Sequence, residues 1–303
     1  MNSNHPKYKA GYVAIVGEPN VGKSTLLNAL LGQKISIVTR KPQTTRQRVL
    51  GILSREDGQI IFLDTPGILK PKYLLHEEMM KSAENALADA DIVLVMVDSS
   101  KGTELPLEVS ECIAPWLAVK PVILLMNKVD KIPKADIMPV QSDFKTSGKF
   151  KEIIPLSALR RDNLDTVLQM LMTYLPEHEP YYPLDIISES PERFFVAEFI
   201  REQVYDRFSE EIPYSTAVEI REFKERETGK TLISADIIVE RDSQKGIIIG
   251  KQGDALKSVG TSARLKIEEF LQHPVFLELR VKVREKWREN EALLRQFGYH
   301  SKK

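Results

Sequence analysis

The chain has 303 residues, too many for one typical core and about right for two domains. Its 42% apolar and 28% charged residues exclude a disordered or collagen-like chain. Basic and acidic side chains balance to zero net charge, so any attraction to polyanions must come from local patches, and the single cysteine, Cys112, excludes a disulfide framework.

The apolar runs at 92–97 and 121–126 fall short of the roughly 20 residues that cross a bilayer and read as buried strands. The opening MNSNHPKYKAGY has neither the apolar segment of a signal peptide nor an Arg-rich amphipathic pattern, so a cytoplasmic protein without transmembrane segments is expected. From 12 to about 175, short β-branched runs alternate with helix-length segments, which predicts a mostly parallel sheet wrapped by helices and a first α/β domain over 1–178. The expected strands are YVAIVG, RVLGILS, IIFLD, IVLVMVD, VILLMN and EIIPLS. Several end on glycine or a polar residue, and open α/β sheets bind ligands at the carboxyl ends of their strands.

Four segments lie at such ends. GEPNVGKS, from Gly17 to Ser24, fits the phosphate-loop spacing: Gly17 and Gly22 let the backbone curl so that N–H groups from Asn20 through Val21 to Thr25 point at phosphate oxygens. Lys23 then reaches the β- and γ-phosphates, and the Ser24 hydroxyl is offered to Mg²⁺. In DTPG (Asp64, Thr65, Pro66, Gly67), Asp64 holds the metal through water and the Gly67 N–H faces a γ-phosphate. In NKVD (Asn127, Lys128, Asp130), Asp130 accepts from N1–H and the 2-amino group of guanine while Asn127 reaches the O6/N7 edge. Adenine would leave that carboxylate facing a lone pair. In SAL (Ser157, Ala158, Leu159), the Ala158 N–H donates to guanine O6.

PEHEPYYPLDIISESP at 176–191 contains four prolines, which interrupt helix and strand alike, so 179–191 is the expected linker. The domain from 192 to 303 has another pattern: a helix to about 209, strand STAVEIREF, a turn at ETGK, strand LISADIIVE, a short apolar helix ending in GKQG, a helix to about 271, and strand VFLELRVKVRE. GKQG, from Gly250 through Lys251 and Gln252 to Gly253, lacks the serine or threonine and the spacing of the first loop. A GxxG turn after an aliphatic helix, inside the order α-β-β-α-α-β, resembles a type II KH module, whose turn meets the backbone of single-stranded RNA and whose apolar groove takes the bases. Residues 241–266 carry six basic side chains, Lys251 and Lys257 among them, against two acidic ones. Arg280, Lys282 and Arg284 alternate on the last strand. Such a stripe is a solvated edge in many sheets, and beside the GxxG turn it reads as a phosphate contact. The mixed run at 221–230 reads as a solvated hairpin.

The first domain is similar to Ras-like GTPases of the translation-factor-related class. This resemblance implies that QTTRQR at 43–48 is the first switch, with Thr45, or failing it Thr44, sensing Mg²⁺ and the γ-phosphate. It also implies that Asn20 helps hold a potassium ion, against the plainer reading that it supports the loop. Where many members carry a water-orienting glutamine this chain has Ile68, so slow intrinsic GTP hydrolysis is expected, with Lys23, Thr45 and Gly67 as the catalytic set. A GTPase domain followed by a type II KH module resembles the bacterial GTPases of small-subunit ribosome assembly, and EIPYS at 211–215 and RQFGY at 295–299 extend the resemblance to nearly the whole chain. It implies a monomer that binds near the 3′ end of small-subunit ribosomal RNA and the small subunit itself, with peripheral contact to the inner membrane. In this reading GTP orders 33–50 and 66–80, and hydrolysis releases them. Two alternatives stand beside it: an RNA chaperone with vestigial GTPase activity, and an RNA-modifying enzyme gated by GTP. The second lacks a fitting cluster, since His5, His76, His178, His273 and His300 are scattered and read as surface or loop residues. Trp116, Trp287, Met79 and Met80 read as packing residues.

Overall fold

The computed structural model describes residues 8–146, 148–225 and 229–299. These cluster into two units. The first takes the chain up to Ser36, Thr45–Pro71 and Met79–Glu189; the second takes Ile37–Thr44, Lys72–Glu78 and the chain from Ser190 onward.

In the first unit, β1 (Lys9–Val16), β2 (Val49–Ser54), β3 (Gly58–Asp64), β4 (Ile92–Asp98), β5 (Val122–Asn127) and β6 (Glu152–Pro155) form one sheet in the order β2-β3-β1-β4-β5-β6. Only β2 runs against its neighbour. β4 and β5 are buried along their whole length, which is why their sequences are unbroken apolar runs. Parallel strands need crossovers, and α1 (Lys23–Leu31), α2 (Leu74–Asp89), α3 (Leu107–Ile113), α4 (Lys134–Thr146) and α5 (Leu164–Tyr174) lie in them or follow the last strand. The parallel register leaves the chain ends after β1, β3, β5 and β6 on one side of the sheet, where the four motifs fall.

The proline-rich stretch expected as a linker lies on this unit as far as Glu189. Gln59, fully buried in β3, accepts from the N–H groups of Tyr181 and Tyr182 at 2.9 and 3.0 Å, and Ile52 N–H donates to Ile187 O at 2.7 Å. A buried polar side chain in an apolar strand is costly without partners, and Gln59 finds them here.

The second unit contains α6 (Glu192–Arg207), α7 (Ile212–Ser215), β7 (Ala217–Lys224), β8 (Thr231–Val239), α8 (Asp242–Ile249), α9 (Asp254–Leu271), β9 (Val275–Val283) and α10 (Glu291–Gln296). Its sheet is β7-β8-β9, antiparallel then parallel, with a bulge between Ile220 and Glu222. Apart from the short α7 and α10, the order of elements is the expected α-β-β-α-α-β. Of the turn expected at 227–230, the first two residues lie outside the described residues, and the hairpin reading of 221–230 goes with them. Trp287 is fully buried and donates from Nε1 to Ser215 O at 2.8 Å, with Phe297 and Tyr299 against its ring. The stretches EIPYS and RQFGY thus share one packing role.

His76 is a correction. It is buried in α2, its ring 3.9 Å from that of Tyr73 and its Nε2 3.1 Å from Gln43 Oε1, because its helical position faces inward. His5 and His300 lie outside the described residues. Among the described residues no helix is long and apolar enough to cross a membrane.

Candidate functional site

The first loop leaves β1 at Val16 and enters α1 at Lys23. Gly22 has φ 108°, and a Cβ there would stand 2.3 Å from Asn127 Nδ2, so only glycine lets the loop close on β5. Asn20 also adopts a left-handed φ of 64° and is exposed. Lys23 is buried, and its ammonium donates to Glu18 O at 2.8 Å and Gly17 O at 3.1 Å. Burial pushes its pKa down to about 8, against the opposing pull of Asp64 and Glu18. Thr25 follows in the first turn of α1.

Three oxygen donors converge beside it. Ser24 Oγ donates to Asp64 Oδ2 at 2.7 Å, Ser24 Oγ and Thr45 Oγ1 are 2.9 Å apart, and Ser36 Oγ donates to the same Oδ2 at 3.0 Å. Asp64 is fully buried, and its Oδ1 accepts no hydrogen bond among the described residues. Burial raises the carboxyl's pKa, and Ser24, Lys23 and Ser36 pull against it. Of the two candidate threonines, Thr45 is the one at this cluster; the Thr44 hydroxyl bonds Lys41 O at 2.8 Å. Two hydroxyls and a carboxylate with an open lone pair are the hard oxygen donors that suit Mg²⁺, which keeps few protein ligands. Thr65 Oγ1 donates to Ile15 O at 2.7 Å, Pro66 and Gly67 are buried, and Ile68 N–H donates to Gly17 O at 3.0 Å while its side chain joins the core.

At the other end, Asn127 Nδ2 donates to Val21 O at 2.7 Å and Asn127 Oδ1 accepts from Ala158 N–H at 2.9 Å, so one amide joins the phosphate loop to the SAL segment. Lys128 Nζ donates to Asn20 O at 2.6 Å and to Asp98 Oδ2 at 2.7 Å. Asp130 accepts from Ser157 Oγ at 2.6 Å, and Leu159 is exposed. Within the first unit, Ser24 thus joins the phosphate loop to Asp64, and Asn127 joins it to Ala158. Ser36 and Asp98 were not foreseen. Neither lies in a motif, and the signal for Asp98 was its place at the end of β4, opposite Asn127 in the register.

In the second unit, Gly250, Gln252 and Gly253 have φ of 73°, 54° and 84°, and Lys251 and Gln252 are exposed. A Cβ on Gly250 would stand 2.6 Å from that of Ala255, so glycine lets α8 and α9 meet in a sharp corner. Beside this turn runs an open groove of about 360 Å³ lined by Gly253, Leu256, Lys257, Gly260, Thr261, Arg264, Leu277 and Leu279. Leu256, Gly260 and Thr261 were missed, although Leu256, Gly260 and Arg264 follow one another at steps of four along α9, as do Gly253, Lys257 and Thr261, which announces one helix face.

The basic stripe is not brought to this groove. Strand alternation turns Leu277 and Leu279 toward α9 and Arg280 and Lys282 to the other face of β9, where Arg280 shares a second open surface with Arg221 and Glu278. Lys282 Nζ there pairs with the buried Asp236 at 2.7 Å. Arg284 is exposed just beyond the strand.

A family profile described as "50S ribosome-binding GTPase" matches residues 12–128, and one described as "KH domain" matches 211–288. GTPase Era of Geobacter sp. (strain M21) is 47% identical over 293 residues, 97% of this chain and 98% of that protein. GTPase Era of Clostridium novyi (strain NT) is 43% identical over 296 residues, 96% of this chain and 99% of that protein. Two solved structures, Aquifex aeolicus Era with one substitution bound to GDP·AlF4⁻, and Era in complex with MgGDPNP and nucleotides 1506–1542 of 16S ribosomal RNA, match with a TM-score of 0.93 at 44% identity, over 97% of this chain and 100% of theirs. A glycine-lysine loop, a converged oxygen cluster and the bonded NKVD and SAL segments in one unit, with a GxxG turn in the next, agree with these likenesses: the chain is a GTPase and belongs to the Era family.

Proposed function

We propose that the chain is a GTP-controlled RNA-binding switch that serves assembly of the small ribosomal subunit. The observation that carries the nucleotide half is the fully buried Asp64 carboxylate, its Oδ1 without a hydrogen bond among the described residues, beside the Ser24 and Thr45 hydroxyls and the buried Lys23. In this reading Ser24, Thr45 and Asp64 hold Mg²⁺, directly or through water, and the ion neutralises charge that builds on the phosphates. Lys23 gives up its loop carbonyls for the β- and γ-phosphates, and N–H groups of the loop, with that of Gly67, surround them. Asp130 selects guanine, while Asn127, Lys128, Ser157 and Ala158 fix the pocket around the base. Ile68 has no hydrogen-bonding side chain, so intrinsic turnover is slow and water is held by backbone, by phosphate or by a partner.

The RNA half rests on the GxxG turn and its groove. Gly250 to Gly253 and the start of α9 meet the backbone, Lys251, Lys257 and Arg284 add charge, and Leu256, Leu277 and Leu279 take the bases of a single strand. The Era structure with nucleotides 1506–1542 of 16S ribosomal RNA supports a target near the 3′ end of that RNA. The proposed division of labour is 1–178 for nucleotide and 192–303 for RNA, joined by 179–191, in a cytoplasmic monomer. Potassium is a finer proposal: Asn20, exposed at the tip of the loop, offers a neutral oxygen suited to it, and turnover in potassium against sodium chloride tests this. Peripheral membrane contact, which rests on family resemblance, is tested by flotation with anionic vesicles.

The deciding experiment measures RNA affinity of the purified protein with GDP and with a nonhydrolysable GTP analogue, at two salt concentrations, alongside its affinities for GTP and ATP. The proposal expects GTP over ATP, a steep salt slope and unequal RNA affinities in the two nucleotide states. Equal binding of ATP overturns the nucleotide half, and equal RNA affinities overturn the switch in favour of a chaperone.

A further inference from the structure

The stretch Ile37–Thr44 belongs to the second unit, although the residue that follows it, Thr45, stands at Ser24 in the first. Within the second unit it is fastened along one face of α6 and the residue after it. Val38 N–H donates to Glu202 Oε1 at 3.1 Å, the Tyr205 hydroxyl donates to Gln43 O at 3.0 Å, Arg201 Nη2 donates to Thr44 O, and Lys41 Nζ donates to the carbonyls of Tyr205 and Phe208. Residues 201, 202, 205 and 208 follow helical spacing. Arg201, Glu202 and Tyr205 are all at most 1% exposed. A buried guanidinium, carboxylate and phenol on one helix cost stability unless partnered. The partners they have on this stretch are backbone groups: an N–H at 38 and carbonyls at 43 and 44. The helix thus holds the path of the stretch through backbone groups, the Lys41 side chain adds bonds to carbonyls at the helix end, and Glu198 braces the grip by accepting from Arg201 Nε at 2.8 Å.

We propose that Arg201, Glu202 and Tyr205 are positioning residues for GTP hydrolysis, fixing the course of 38–44 so that Thr45 is delivered to Ser24 and Asp64. The inference rests on the reading of Thr45 as the residue that senses Mg²⁺ and the γ-phosphate. A stretch free to wander would present Thr45 for a smaller fraction of the time, and the observed rate falls by that fraction. GDP has no γ-phosphate to sense, so its binding is indifferent to the grip. Glu202 also accepts from Lys266 Nζ at 2.8 Å, which ties the device to α9, the helix that begins at the GxxG turn.

The test uses the full chain with Tyr205→Phe, which removes one hydroxyl and keeps the ring; Lys41→Met, at a half-buried position that tolerates change; and Thr45→Val. Single-turnover hydrolysis and affinity for a fluorescent GDP are measured in each. Tyr205→Phe and Lys41→Met are expected to slow hydrolysis about fivefold, the equivalent of one ordinary hydrogen bond, with GDP affinity within twofold of the parent. Parent-like hydrolysis in Lys41→Met or in folded Tyr205→Phe, while Thr45→Val is impaired, overturns the positioning role. So does an equal loss of GDP affinity, which is the mark of general damage. Parent-like hydrolysis in Thr45→Val overturns the reading beneath it instead.

Discussion

Lys23 is buried at 6% exposure with its ammonium turned onto carbonyls of its own loop, whereas Lys251 stands exposed between two glycines at the start of α9. Both loops turn on glycines with positive φ, yet only the first removes its lysine from water. A triphosphate is small and always presents the same atoms, so a desolvated, prebuilt site gains strength from low dielectric. The cost is borne by the protein without nucleotide, in which burial depresses the lysine and raises Asp64. A polynucleotide presents a flexible row of phosphates, and a hydrated lysine on a corner turn follows it without such a cost.

The largest test of this contrast is Asp130→Ala. Two charge-assisted hydrogen bonds to guanine are lost, about 3 kcal/mol or more, so GTP affinity should fall over a hundredfold while ATP affinity stays low and RNA affinity with no nucleotide is unchanged. Titration with both nucleotides checks it, and a loss below tenfold would mean that the carboxylate does not select the base. Next comes Lys251→Glu combined with Lys257→Glu. Affinity for single-stranded RNA should fall about tenfold, and the slope of log affinity against log salt should lessen by about 1, with GTP hydrolysis intact.

A smaller effect belongs to Asp98, which holds Lys128. Burial pushes the Asp98 carboxyl up, but the bonds from Lys128 and Ser100 outweigh it and hold it below its usual 3.8. With the folded value depressed, the bond's contribution is complete above pH 3.8 and is lost as pH falls through the lower folded value. Asp98→Asn should therefore cost about 1 kcal/mol of stability at neutral pH and weaken GTP and GDP alike about fivefold, and its stability should converge with the parent's on acidification. Denaturation at pH 7 and below pH 4 reads the sign.

How far the sequence carried depended on the range of the interactions. The six strands of the first sheet were legible because β-branched runs and their polar ends are local, and the four motifs sit where each run stops. The KH order was legible for the same reason. Invisible were features made by distant pairs: Gln59 holding 181–182, His76 turned inward, and the backbone of 38–44 lying on α6. A backbone acceptor carries no side-chain signature, so Gln43 O and Thr44 O left no trace to read. Arg280 and Lys282 show a different limit. Their period of two was read correctly, but alternation says only that the charges share a face, and which face depends on where α9 packs.

Lys282 pairs with Asp236, which is 1% exposed and also lies 3.5 Å from Arg221, so the lysine's work is to offset a buried carboxylate across the strand pair. Lys282→Met should cost about 1 kcal/mol, since Arg221 remains and the lysine is partly in water, and should lower Tm by a few degrees. RNA affinity should stay within twofold, because the side chain is on the face of β9 away from Leu277, Leu279 and the GxxG turn. Arg280→Gln on the same face serves as the companion, since its partner Glu278 is exposed. If either change weakens RNA as much as a change at Lys251 does, the strand must be wrapped by RNA on both faces, and the separation drawn between groove and stripe is wrong.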